Sequence, residues 1–391
     1  MIKRILEHKI RNLARKFPAL AIMGPRQSGK TTLVRTTFPA LSYISLENPD
    51  HRLYAQSDPR GFLEQYRDGA IFDEIQKVPE LFSYLQQILD ETPLKGHFIL
   101  TGSQNFLLHE KISQTLAGRV AMLKLLPLSM EEIQSAHLSS FSVEAQMFRG
   151  FYPRIYAENL SPTDWYPSYI QSYVERDVRD MKNIGDITAF QKFLKLCAGQ
   201  VGQLLNLSAL GIELGISHNT IKSWISILEA SFIIFLLQPH HKNFRKRLIK
   251  MPKLYFWDTG LVCSLLNLQN ENQLSTHYSK GSLFENFVVS ELMKNAYNQG
   301  KDPALFFWRD AAGHEVDIIM DEGGELTPIE IKSSATAHQD FTINLRYWNR
   351  LAKLSKPRGA VVYAGNKSQK RIVSATNFPF VSWKELELAT R

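Results

Sequence analysis

Residues 24–31 read Gly24-Pro25-Arg26-Gln27-Ser28-Gly29-Lys30-Thr31, a full match to the spacing G-x-x-x-x-G-K-[ST]. That pattern has a physical logic. Glycines let the backbone curl so that several N–H groups face phosphate oxygens. Lys30 brings a mobile positive charge to the β- and γ-phosphates, and Thr31 offers a hydroxyl to magnesium. With Thr32 closing the run, the segment is expected to hold ATP and Mg2+. A helix opening near Lys30 adds the positive end of its dipole.

Two further carboxylates follow an apolar run, Gly69-Ala70-Ile71-Phe72-Asp73-Glu74. Asp73 is the candidate partner of magnesium, beside Thr31. Glu74 is the candidate group that orients or deprotonates the attacking water. A third run, His97–Thr101, ends in Gly102-Ser103-Gln104-Asn105, and Ser103 and Gln104 are both candidates to contact the γ-phosphate. Arg119, in Leu116-Ala117-Gly118-Arg119, reads equally as a catalytic cation and as a surface salt-bridge residue.

The C-terminal part holds a second set of charged residues. Glu285 lies on an amphipathic helix beginning near Gly281, and Glu315 and Asp317 share one face of a strand by period two. Glu330 and Lys332 share a face of the next strand, after the turn at Gly323-Gly324. Carboxylates so arranged can bring magnesium to a phosphodiester, and a lysine beside them balances charge. Glu285, Asp317, Glu330 and Lys332 are the candidates, with Glu315 accessory. Helix acid, strand acid and E-x-K follow the order used by PD-(D/E)XK nucleases.

The elements that position these residues are legible in outline. Ala19–Met23 is a short buried strand before the glycine loop, so strand, loop and helix succeed one another correctly. Residues 1–17 form a basic amphipathic helix expected to pack on the domain. Residues 126–190 read helical, with Trp165, Tyr169 and Tyr173 on one face as core. From Phe193 the pattern is helix, helix, turn, helix, then strand-like Phe232–Leu237: the shape of a winged helix-turn-helix. His218, Asn219, Lys222 and Ser223 are its exposed candidates. The run His240–Lys253 has six Lys/Arg and no acid, and is a candidate phosphate-binding wing.

The bulk numbers agree with an ordinary globular chain. It has 391 residues, 44% hydrophobic and 21% charged, enough for two or three domains. The net charge of +8 permits DNA or RNA as a partner without requiring one. Two cysteines make neither a disulfide framework nor a four-cysteine zinc site, which favours the cytoplasm. The longest apolar run, Ala230–Leu237, is too short to span a bilayer.

Taken together, the chain resembles prokaryotic AAA+ ATP-binding proteins with a C-terminal domain of unknown function. The resemblance rests on Gly24–Thr31, Ile71–Gln76, Leu100–Ser103, Ala117–Arg119, Tyr173–Val178, Lys253–Leu261 and Glu330–Lys332. It implies an AAA+-like P-loop α/β domain with a parallel sheet over residues 1–130. A helical segment would span 131–190, a winged helix 191–260 and a PD-(D/E)XK-like α/β domain 261–391. It also implies a sensor role for Ser103 or Gln104, an arginine finger or sensor role for Arg119, and a homo-oligomer as a candidate assembly. The expected activity is magnesium-dependent ATP hydrolysis coupled to nucleic-acid binding or processing. The rivals are a nucleotide-controlled scaffold with a silent nuclease-like domain, and an ATP-gated nuclease.

Overall fold

The computed structural model describes residues 2–91, 94–103, 115–174, 186–240, 249–354, 356–373 and 376–389. Gln104, Glu175–Val178 and the basic core of the candidate wing, His241–Leu248, therefore lie outside the described residues.

Five strands make the first sheet: β1 (Ala19–Met23), β2 (Ser42–Ser45), β3 (Ala70–Asp73), β4 (Phe98–Gly102) and β5 (Val120–Lys124). Their order is β2-β3-β4-β1-β5, and every pairing is parallel. β1, β3 and β4 are buried along their whole length, as their continuous apolar sequences require of strands covered on both faces. The N-terminal helix, Leu6–Ala14, covers one face through Leu6 and Ile10, which pack with Leu20, Ile22 and Val34. β4 lies between β1 and β3, so the loops that leave the C-terminal ends of all three meet at one edge.

Past β5 the chain runs through short helices, Met130–Ser135, Val143–Arg149, Pro153–Ala157 and Pro162–Tyr169. Trp165 stacks on Tyr169 at 4.8 Å and both meet Tyr152, so these aromatics are core. Three helices follow, Ile187–Gly199, Leu207–Leu214 and His218–Ala230, then an antiparallel pair, β6 (Ile234–Leu237) and β7 (Lys253–Phe256). Ser217 caps the third helix through Thr220 N at 3.1 Å. Asp258 accepts from Phe151 N and Leu261 N, both at 2.7 Å, stapling the hairpin exit to the earlier helices. Gly260 is required there: a Cβ would fall 2.4 Å from the Tyr166 hydroxyl.

A 19-residue helix, Lys280–Asn298, leads into a mixed sheet. Its strands are β8 (Leu305–Arg309), β9 (Glu315–Glu322), β10 (Glu325–Lys332), β11 (Ala360–Tyr363), β12 (Gln369–Val373) and β13 (Thr376–Ser382), in the order β12-β13-β11-β10-β9-β8. β8, β9 and β10 form an antiparallel meander, and β10 pairs in parallel with β11 after a crossover through the helix Ile343–Leu351. One apolar cluster runs from β1 through the middle helices to β11, so the parts share a core. Among the described residues no helix is long and apolar enough to cross a membrane.

Candidate functional site

Lys30 opens the helix Lys30–Thr37 after the left-handed Gly29, and its ammonium donates to the carbonyls of Gly24 and Pro25, both at 2.9 Å. The loop sits tightly on the strand ends. A Cβ on Gly24 would lie 2.0 Å from the Leu125 carbonyl oxygen, so only glycine fits. Ser28 Oγ is buried with no hydrogen-bond partner among the described residues.

Asp73 ends β3 and Glu74 follows it, beside this loop. Thr31 Oγ1 donates to Asp73 Oδ2 at 3.0 Å, and the Tyr43 hydroxyl donates to the same oxygen at 2.7 Å. Thr101 Oγ1 holds Asp73 Oδ1. Burial, with the Asp73 carboxylate adding, pushes the Tyr43 phenol well up, so it stays a donor. Glu74 has φ 57°, a left-handed conformation that is costly for a residue with a Cβ. Ser103 Oγ donates to Glu74 Oε2 at 2.8 Å, and Gln76 Nε2 holds the same oxygen. Burial pushes the Glu74 carboxyl up, but Lys30, Ser103, Arg26 and Gln76 outweigh it and hold it below its usual value. Glu74 is therefore ionised at neutral pH.

These groups line a cleft of about 590 Å³, a size suited to a nucleotide. Lys30, Thr31, Asp73 and Glu74 line it, together with Lys3 and Arg154. The structure thus brings together Gly24–Thr32, Asp73, Glu74 and Ser103. It does not bring in Arg119. The Arg119 carbonyl accepts from Ala19 N, at the start of β1, so Arg119 sits at the opposite edge of the sheet. A five-residue strand separates it from the loop, roughly 16 Å at strand rise. Its guanidinium pairs with Asp90, with Nη2 donating to Oδ2 at 2.9 Å. Within one chain its guanidinium is thus engaged with Asp90 rather than with the phosphate loop.

Sequence reasoning passed over the residues that hold this site in place. Arg4 donates to Ser28 O and Leu126 O, both at 2.7 Å, and to Glu132 Oε1 at 3.0 Å. Its side chain is 8% exposed and that of Glu132 is fully buried. Glu132 also completes a capping box with Ser129. Gln76 and Thr101 stood inside quoted motifs without a role of their own, and Tyr43 and Arg4 gave no local signal.

The C-terminal charges also converge. Oxygens of Glu285, Glu315 and Asp317 lie within 4.8 Å of one another, close enough to hold a cation. Glu330 and Lys332 join them: Lys332 Nζ lies 2.6 Å from Glu330 Oε2 and 3.6 Å from Asp317 Oδ2. Burial, with Asp317 adding, pushes the Glu330 carboxyl up to about 8. Two residues of β7 enter the cluster from outside the expected C-terminal domain. Lys253 Nζ lies 2.8 Å from Glu285 Oε1 and also contacts Glu315, while the Tyr255 hydroxyl donates to Glu285 at 2.6 Å. The Lys253 side chain is only 3% exposed. Burial pulls its ammonium down, but Glu285, Glu315 and Asp317 overcome that and raise it, so it is charged.

Comparison with known proteins matches three segments. Residues 16–134 match the family described as "AAA domain", residues 140–272 a "Domain of unknown function (DUF8612)" and residues 280–381 a "Domain of unknown function (DUF4143)". An uncharacterized protein of Mycobacterium tuberculosis is 27% identical over 360 residues, covering 91% of this chain and 79% of its own. One of Haemophilus influenzae is 23% identical over 356 residues, covering 83% and 84%. Among solved structures, the Walker-type ATPase of Pyrococcus abyssi has a TM-score of 0.48 and 14% identity, covering 68% of this chain and 96% of that one. AMPPCP-bound DnaA of Aquifex aeolicus has a TM-score of 0.29 and 13% identity, covering 57% and 86%. The matched family, the parallel sheet and the phosphate loop agree: the N-terminal third is a P-loop domain of the AAA type, followed by an α/β region built on a mixed sheet.

Proposed function

We propose that the chain binds ATP with magnesium and hydrolyses it at the Lys30–Thr31–Asp73–Glu74 centre, and that turnover controls nucleic-acid binding or processing. The observation that carries the first half is the ionised, strained Glu74 held between Ser103, Gln76 and the Lys30 charge. Thr31 Oγ1 and Asp73 Oδ2 are hard oxygen donors 3.0 Å apart, and they fit magnesium. Bound there, the ion would offset charge on the β- and γ-phosphate oxygens. Lys30 supplies the fixed positive charge, the loop amides orient the phosphates, and Glu74 orients or deprotonates water, with Ser103 steadying its carboxylate. Arg119, facing away, acts on nucleotide only across a homo-oligomer contact. Two buried free cysteines, Cys197 and Cys263, fit the cytoplasm.

The coupling half is supported by a contiguous run of buried polar contacts. Arg4 joins Ser28 of the phosphate loop to Glu132. Met130 N, beside it, donates to Glu291 Oε2 at 2.5 Å, on the helix that also carries Glu285. Lys294 of that helix binds Leu128 O at 3.1 Å and Glu291 at 2.8 Å. The three helices Ile187–Gly199, Leu207–Leu214 and His218–Ala230 with the β6–β7 pair fit the winged helix-turn-helix expected over 191–260, and the helix–meander–helix–strand order after Lys280 fits a PD-(D/E)XK-like domain. One observation favours the scaffold reading of that last domain: the Lys253 ammonium stands where a cation would bind the carboxylates. Gated cleavage requires that ammonium to leave.

The test is ATP turnover with and without single- and double-stranded DNA and RNA. Glu74→Gln should bind ATP but turn over about 10²–10⁴-fold more slowly, and Lys30→Ala should lose ATP binding. Equal turnover by wild type and Glu74→Gln removes Glu74 from the mechanism. Turnover indifferent to every nucleic acid removes the coupling.

A further inference from the structure

The C-terminal domain carries a cationic groove that neither the sequence reading nor the two charged centres uses. It is a cavity of about 580 Å³ between the helix Ile343–Leu351 and the chain that follows it. Arg346, Arg350 and Lys353 line it, with Phe378 and Leu354 among its apolar residues and Ile343 at its rim; no Asp or Glu lines it. Among the described residues none of these three cations has an ion-pair partner, whereas Arg358 nearby is paired with Glu325 at 2.8 Å. The wall is fixed. Asn349 binds Leu345 O at 2.7 Å and exchanges hydrogen bonds with Arg358 N and O, both at 2.8 Å, pinning the following loop to the helix. Leu345 and Trp348 bury the opposite helix face in the sheet. The cations are therefore held on one rigid side.

From the geometry of this groove we infer that it takes the phosphate backbone of a nucleic acid, which rests on the coupling half of the proposed function and gives it a location. Arg346 and Arg350 stand about one turn apart on the helix, roughly 6 Å along its axis, and Lys353 follows two residues past its end. The three cations can therefore meet neighbouring phosphates of one strand. Three unpaired cations are enough to give a measurable salt dependence, since each neutralised phosphate releases counterion. A membrane is the poorer fit. Its surface favours a broad exposed apolar face beside the cations, and here the apolar face is buried and Ile343 is the exposed large apolar residue of the helix. The same helix packs on β10, the strand that carries Glu330 and Lys332 of the carboxylate cluster.

The experiment is fluorescence anisotropy of labelled single-stranded DNA, duplex DNA and RNA from 50 to 300 mM salt. It compares the wild-type full chain with Arg350→Glu/Lys353→Glu and with Arg350→Gln/Lys353→Gln. All four changes are at exposed positions remote from the nucleotide cleft, so basal ATP turnover should be unchanged and reports folding. Binding by wild type, weakened roughly tenfold or more at low salt in the charge-reversed variant and with a salt slope smaller by about 2 in the neutral one, supports the proposal. Equal affinity and slope in all three proteins overturns the groove and leaves the coupling reading standing. Wild type that hydrolyses ATP but binds no nucleic acid overturns both. Loss in the variants of binding to phosphatidylserine vesicles, with nucleic-acid binding unaltered, overturns the partner in favour of a membrane.

Discussion

Replacing Lys253 with methionine removes one ammonium from among three carboxylates and keeps most of the packing volume. At 2.8 Å and an effective dielectric of about 20, the contact with Glu285 gains roughly 6 kcal/mol before desolvation is counted. Desolvation of a nearly buried ammonium consumes a large part of that gain. What the substitution exposes is the other side of the account: Glu285, Glu315 and Asp317 left facing one another. Breaking a buried pair from one side costs about 3–5 kcal/mol. The side chains of Glu285 and Glu315 are 18% and 21% exposed, so water reaches them and the low end, about 3 kcal/mol, applies. For a chain of 391 residues unfolding as one unit that is a fall in melting midpoint of roughly 4 °C. The assay is thermal unfolding without nucleotide, with and without Mn2+. Manganese should restore much of the loss in Lys253→Met and change wild type little. Adding Glu285→Gln to Lys253→Met should also recover stability, because the uncompensated charge goes with it. An unchanged midpoint in Lys253→Met refutes the charge argument. Equal manganese stabilisation of wild type and variant refutes the claim that the ammonium holds the cation position.

Two other consequences are open to test. Arg4→Lys keeps the charge but cannot reach Ser28, Leu126 and Glu132 together; it should weaken ATP binding in calorimetry and lower stability, and unaltered affinity would show that the phosphate loop needs no outside brace. Burial pushes Glu229 up to about 7, above an ordinary value of 4.5. Its contribution is complete below about pH 4.5 and is lost as pH rises through 7, so the melting midpoint of wild type should decline across that window relative to Glu229→Gln. Parallel profiles would remove Glu229 as the cause.

Some of this was plain before any fold was known, for reasons that differ along the chain. The phosphate loop is a contiguous motif, and continuous apolar runs identify strands covered on both faces. Ala19–Met23 is a strand in the structure over those same five residues. The pairing of Glu315 with Asp317, and of Glu330 with Lys332, followed from period two alone. β2, with its half-exposed Ser-Tyr-Ile-Ser, and the terminal hairpin β12–β13 had no such signature. Arg119 shows the limit of motif reading: order along the chain put it after the strands that lead to the phosphate loop and its carboxylates, and only strand direction revealed that it sits at the other edge of the sheet.

By itself the amino-acid sequence picked out the glycine loop, the two carboxylates that follow β3's apolar run and the paired charges of β9 and of β10, because each depends on spacing within one element. Tertiary structure alone decided who meets them. Arg4 reaches Glu132 across 128 positions, and Lys253 reaches Glu285 across 32. No local pattern encodes such contacts, since a buried cation looks like any other lysine or arginine until the chain closes around it.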